Sequence, residues 1–156
     1  MPLTESTISP ADPPPLQTPR RLIGRLLLGA VLLYAGVSHL TTGRAEFQAQ
    51  VPTWFPVDPD LVVIVSGWVE IALGAALLAA PRRFQWAIGL VVAAFFVAVF
   101  PGNISQLLTR TDAFGLDSDA ARAIRLVFQP VLVLWALWST GAWHTWRARR
   151  GTTSAP

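Results

Sequence analysis

Residues 61–80 read LVVIVSGWVEIALGAALLAA, an apolar run whose single ionisable side chain, Glu70, sits near its middle. A helix of that length rises about 30 Å, the thickness of a bilayer's hydrocarbon core. A carboxylate at mid-depth costs about 3 kcal/mol or more. It must therefore be neutralised, paired or hydrated, and the rest of the chain reads as the surroundings of this glutamate.

Composition agrees with lipid as the solvent. Of 156 residues 53% are apolar and only 13% charged, against about a quarter charged in soluble domains. Too little polar surface is available to cover a water-soluble domain of this size. The sequence pI near 11.0 does not mark a nucleic-acid binder. All 12 basic residues are arginine, they are scattered between apolar runs, and the net charge is +3. No basic face is long enough to track a phosphate backbone.

The absence of cysteine removes disulfides, thiolate metal sites and dithiol electron relays. The absence of lysine removes Schiff-base chemistry. His39 and His144 are too far apart in sequence to form a local metal motif, so no metal is expected. No nucleophile constellation stands out either, which argues against an enzyme.

Taken in order, residues 1–19 form a Pro/Ser/Thr-rich tail with nothing to bury. A first span covers 22–40. The twin arginine Arg20-Arg21 ahead of it also opens export signals, but no small-x-small cleavage site follows and three more spans do. It reads as a retained span. Residues 41–60 are a polar connection whose prolines oppose a regular helix. The second span is 61–80, and the short link Ala80-Pro81-Arg82-Arg83 forces spans two and three into an antiparallel hairpin. The third span, 84–100, is expected to kink or stop at Pro101-Gly102. A fourth covers about 124–143, with Ser118 or Asp119 as its cap. The basic tail 147–156 completes the chain. The fold class expected is all-α, a polytopic four-helix membrane bundle with one membrane domain over 20–146.

Arginine placement orients it. With both termini inside, eight arginines fall on the cytoplasmic side and four in the outer loops, beside six of the nine acids. That bias fits the positive-inside rule for a plasma (inner) membrane protein of a bacterial-type cell. Ser38 and His39 then lie at the outer end of span one. Glu70 sits about 13 Å below the outer edge. Asn103 follows Pro101 at the outer end of span three, and Arg125 and Gln129 lie one turn apart at the mouth of span four. Small-and-polar stripes at helical spacing support convergence: Ser66, Glu70 and Gly74; Tyr34 and Ser38; Ala94, Ala98 and Gly102. The expected candidate pocket is Ser38, His39, Glu70, Asn103, Arg125 and Gln129.

Each member also has a plainer role. Glu70 could be a protonated carboxyl joining two helices, His39 an interfacial hydrogen-bonding group, and Asn103 the cap of an extended third span. Arg125 could snorkel, and Gln129 could serve backbone freed by Pro130. The joint pattern is stronger than any single residue, because four separate spans deliver polar groups to one level.

AGVSHL (35–40), SGWVEIALGAALL (66–78), FPGNISQLL (100–108) and RLVFQPVLVLWALW (125–138) together resemble the DoxX family of small four-span membrane proteins. The likeness runs in order from Leu22 to Trp143, and His39, Glu70, Asn103 and Gln129 match its motifs. Gly102 departs from the pattern, which leads one to expect alanine there. The resemblance implies an accessory subunit of a quinone-linked or oxidative-stress redox system, with a quinone as the cofactor it admits. The partners expected are the lipid bilayer, a membrane redox or envelope protein, and further copies of the chain. A non-enzymatic scaffold is the alternative. A small-molecule or proton carrier ranks third, because four spans without an internal repeat leave little room for alternating access.

Overall fold

The computed structural model describes residues 18–115 and 117–145. Its helices are, in order, α1 (Pro19–Leu40), α2 (Arg44–Gln48), α3 (Pro59–Ala79), α4 (Arg82–Thr109) and α5 (Asp119–Ser139). Among the described residues there is no strand, and all of these helices but α2 are long and apolar enough to cross a membrane. The chain is an all-α, multi-pass membrane protein. The basic tail over 147–156 lies outside the described residues, as does the proline-rich tail up to position 17.

Local chemistry fixes the helix ends. Pro19 and Pro59 open α1 and α3, where a missing N–H costs no hydrogen bond. The Asp58 carboxylate accepts the backbone N–H groups of Asp60 and Leu61 at 2.9 and 3.2 Å. Ser118 Oγ accepts from the Ala121 N–H at 3.2 Å, the cap expected for the last helix. That helix starts at Asp119, ahead of the span expected from Ile124. It ends at Ser139, before Gly141 turns the chain at φ 72°.

The third span departs most from expectation. It neither stops nor ends at Pro101 but runs on to Thr109, 28 residues in all. Proline forfeits one intrahelical bond, the one to the Val97 carbonyl, and beyond it the buried amides of Asn103 and Gln106 anchor the continuation. At about 42 Å, α4 exceeds the hydrocarbon core. Arg110, left-handed at φ 53°, ends it by donating its N–H to Gln106 and Leu107 carbonyls. The connection 41–60, expected to be irregular, forms α2 ahead of its first proline, Pro52.

Around the bundle the helices follow chain order, α1, α3, α4, α5, and α5 closes back on α1. The closest pair is α1/α3, joined by two glycine pairs. An ideal Cβ on Gly36 would lie 2.6 Å from the Gly67 carbonyl oxygen, and one on Gly74 would lie 2.7 Å from the Gly29 carbonyl oxygen. Bare backbones in contact are the membrane form of tight helix packing. Trp135 Nε1 donates to the Gly24 carbonyl at 3.0 Å and ties α5 to α1. Arg25, buried in α1, donates to the Leu77 carbonyl in the last turn of α3, where a cation suits the helix dipole. The core between the helices is Leu28, Leu32, Leu77, Val92, Ala93, Phe96 and Ala136.

The expected α3/α4 hairpin is antiparallel but loose. The link at Ala80-Pro81 is too short to let the helices diverge in the chain, yet they pack against each other less than α1/α3 or α4/α5 do. Of the stripe Ala94, Ala98 and Gly102, expected to face inward, Ala94 is exposed, whereas Ala98 and Gly102 line a cavity at one end of the bundle. The buried face of α4 carries Gln85, Gly89, Val92, Ala93, Phe96, Asn103 and Gln106 instead. Tyr34 likewise faces outward, 78% exposed.

Candidate functional site

At the end of the bundle that carries the 41–58 and 110–118 connections, α1, α3, α4 and α5 enclose a cavity of about 580 Å³. Its walls are mostly apolar. His39, Ser66, Glu70, Asn103, Arg125 and Gln129 supply most of its polar groups. An apolar space with a few convergent polar side chains is the usual form of a small-molecule site.

Two polar groups close on themselves. Asn103 Nδ2 donates to Gln129 Oε1 at 2.9 Å, and Gln129 Nε2 donates to the Phe96 carbonyl at 2.6 Å. Gln129 therefore serves the backbone of α4 beside Pro101 rather than carbonyls of its own helix. Asn103 does not cap a helix end; its amide crosses to α5, where its Oδ1 also accepts from Arg125 Nε at 3.3 Å. The Arg125 guanidinium lies over the Phe114 ring, 4.9 Å from its centroid. No described carboxylate lies within ion-pair reach of Arg125.

Glu70 is different. His39 Nδ1 lies 3.0 Å from Glu70 Oε2, close enough to count as an ion pair by distance. It also lies 2.8 Å from the Ala35 carbonyl oxygen. A carbonyl only accepts, so Nδ1 carries its proton toward Ala35 and has none left to offer the carboxylate. Glu70 Oε2 is accordingly buried with no hydrogen-bond partner, in a residue only 8% exposed. Direction outweighs distance here, and the carboxylate stands with one oxygen unsatisfied.

The two connections roof the cavity with rings. Phe47 of α2 stacks on the His39 imidazole at 3.4 Å between centroids and 16° between planes, and Phe114 meets Phe47 edge-on at 4.6 Å. Phe114 holds a left-handed backbone, φ 57°, sparsely populated for a bulky residue. The Glu46 carboxylate accepts its N–H at 2.6 Å and latches one connection to the other. Arg44 is held to the Asp60 carboxylate through Nε at 2.6 Å and through Nη2, which raises its guanidinium further above its usual range. Arg122, buried, pairs with Asp112 and with Asp119 and steadies the second connection. Replacing Glu46 with alanine should speed hydrogen exchange at the Phe114 amide by roughly tenfold or more, while global unfolding moves little. Unchanged exchange at that amide would mean the latch does not hold the roof.

Of the six residues expected in the pocket, His39, Glu70, Asn103, Arg125 and Gln129 line the cavity. Ser38 does not. It is half-buried beside Gly43, and its carbonyl accepts the N–H groups of Thr41 and Gly43 where α1 ends. Sequence reasoning missed the aromatic roof of Phe47, Trp54, Phe55 and Phe114. Its only signal was aromatic side chains placed in otherwise polar connections. Gly102 has a physical reason: a Cβ there would lie 2.9 Å from the Gln50 carbonyl oxygen. Glycine lets the first connection lie against α4. Among the described residues no group of three His, Cys, Asp or Glu side chains gathers where it could hold a metal ion.

Comparison with curated proteins and with solved structures gives no match. Residues 28–140, which span all four long helices in whole or in part, match a domain of unknown function, DUF8561. That is more than half of the chain, and the chain belongs to the DUF8561 family.

Proposed function

We propose that the protein is a DoxX-like accessory subunit of a membrane redox system, and that its cavity holds a quinone headgroup. The observation that carries this reading is the unpartnered Glu70 oxygen in a mostly apolar space that also holds an arginine with no carboxylate partner. Glu70 offers an acceptor oxygen without a donor, and Arg125 offers N–H groups without a carboxylate. A ring with an oxygen at each edge has one group for each of them. In its reduced form one hydroxyl donates to Glu70, and the opposite oxygen accepts from Arg125. The aromatic roof suits a flat ring. With no cysteine in the chain, electrons come from a partner protein in the same membrane. Arginine placement orients the cavity toward the outer face of a plasma membrane, with both termini inside.

The scaffold alternative requires a polar cluster that exists to hold helices together. Asn103 and Gln129 fit that description; Glu70, with an oxygen no donor reaches, does not. Trp54, 69% exposed at the cavity wall, supplies the test. Titrating a benzoquinone into detergent-solubilised protein should quench tryptophan fluorescence saturably, and Trp54→Phe should remove most of that saturable component. Quenching that rises linearly without saturation, alike in both proteins, would sink the quinone reading.

A further inference from the structure

A second space lies along the same two helices as the cavity. It is a groove of about 610 Å³ between α3 and α4, at their linked end, and every residue lining it is apolar. The two spaces share one face of each helix. On α3 that face carries Glu70 in the cavity and then Leu73, Ala76 and Ala80 in the groove, at helical spacing. On α4 it carries Val99 in the cavity and then Val91, Ile88 and Phe84 in the groove. This is also the loosest seam of the bundle. The seam is left open by alanines on both sides rather than filled by side chains.

From these observations we infer that the groove holds the apolar chain of the ligand whose headgroup occupies the cavity. The inference rests on the headgroup reading given above. The ligand is a single-chain amphiphile. Its polar end lies at Glu70, and its chain runs lengthwise between α3 and α4 toward the opposite face of the membrane. Three features commit the groove to this occupant. The groove continues the cavity on the same helix faces, so a molecule anchored at Glu70 has its tail delivered there. It offers no polar group, so nothing with hydrogen-bonding needs is stable in it. From Glu70 to Ala80 the seam runs about 15 Å, the length of an extended chain rather than of a compact group. The buried, unpartnered Glu70 oxygen, which only an incoming donor satisfies, marks where the polar end stops. Entry is sideways from the bilayer, because the seam is where the helices already part.

Blocking the groove separates the chain from the headgroup. The variants are Ala76→Phe and Ala87→Phe, which fill it from opposite sides, with Ala75→Phe on the exposed face of α3 as control. Affinity is read by tryptophan quenching in nanodiscs for two benzoquinones, one with a single isoprene unit and one with a long isoprenoid tail. Both blocking variants should weaken the long-tailed probe by roughly tenfold, the lower range of what overpacking costs, and leave the short one unchanged. The control should change neither. Unchanged affinity of the long-tailed probe in variants of native helicity overturns the groove and leaves the headgroup site standing. Wild-type protein that binds a single-chain phospholipid with this same sensitivity, but no quinone, keeps the groove and removes the quinone. If neither probe nor the phospholipid binds, both readings fall.

Discussion

Gly36→Leu should leave almost no folded protein. A Cβ at this position lies 2.6 Å from the Gly67 carbonyl oxygen, 2.8 Å from Ile71 Cγ1 and 2.9 Å from the Ile71 backbone nitrogen. Two of those three neighbours are main chain of α3, so no rotamer change relieves them and the helices must part. Parting them also disturbs Gly67, whose own Cβ would sit 3.0 Å from the Gly36 carbonyl oxygen. Overpacking by a methyl group alone costs about 1–3 kcal/mol, and a leucine adds volume with nowhere to go. Set against a typical total of about 5–15 kcal/mol, that is enough to unfold the bundle. Gly102→Ala should cost less, because its close neighbour is a carbonyl of a connection and not of a packed helix. Thermal unfolding followed by circular dichroism in micelles ranks the two. A Gly36→Leu protein as stable as Gly102→Ala would mean that α1 and α3 are not locked by their glycines.

Glu70→Leu should have the opposite effect on stability and a severe one on binding. A buried polar atom left without a partner costs about 1–3 kcal/mol. Leucine at this position removes that cost, and the neighbouring wall of the cavity is already apolar. His39 keeps its bond to the Ala35 carbonyl in the variant, so nothing nearby is orphaned. The protein should therefore unfold at the same or a higher temperature while its affinity for the headgroup falls by roughly tenfold or more, the worth of one buried hydrogen bond. Stability held in reserve at a binding site is a common exchange between function and fold. Glu70→Gln should also unfold no earlier than wild type and should lose binding to an intermediate degree, because an amide oxygen still accepts. Were the glutamate a helix-joining group, Glu70→Leu would unfold earlier than wild type. The two roles are opposite in sign.

Much of this was legible in the sequence, and what was not has definite causes. The four long helices and the end of the bundle at which polar groups gather follow from apolar run lengths and chain direction. His39, Glu70, Asn103, Arg125 and Gln129 meet because each lies at the middle of its helix or toward the end that carries the 41–58 and 110–118 connections. Which bonds they make was not legible. Helical spacing puts a side chain on a face, but the direction of a single N–H decides that Ala35, and not Glu70, receives the His39 proton. Tyr34 and Ala94 were misplaced for a related reason: small or polar residues at helical spacing mark a face without saying whether lipid or protein covers it. Pro101 suggests a kink or a stop because a proline breaks an isolated helix, whereas here α4 runs through it and buried amides beyond it hold the next two turns. The roof of Phe47 and Phe114 depends on a contact between residues 46 and 114, which no local pattern encodes.

The cavity's role rests on Glu70 receiving a donor from an amphiphile. The direct measurement is extraction and mass spectrometry of the small molecules retained by protein purified in mild detergent, wild type beside Glu70→Leu, both checked for helicity. Wild type should retain a quinone in near-stoichiometric amount, and the folded variant should retain almost none. Equal retention by the two proteins, or a wild-type protein that carries no quinone, would contradict the assignment.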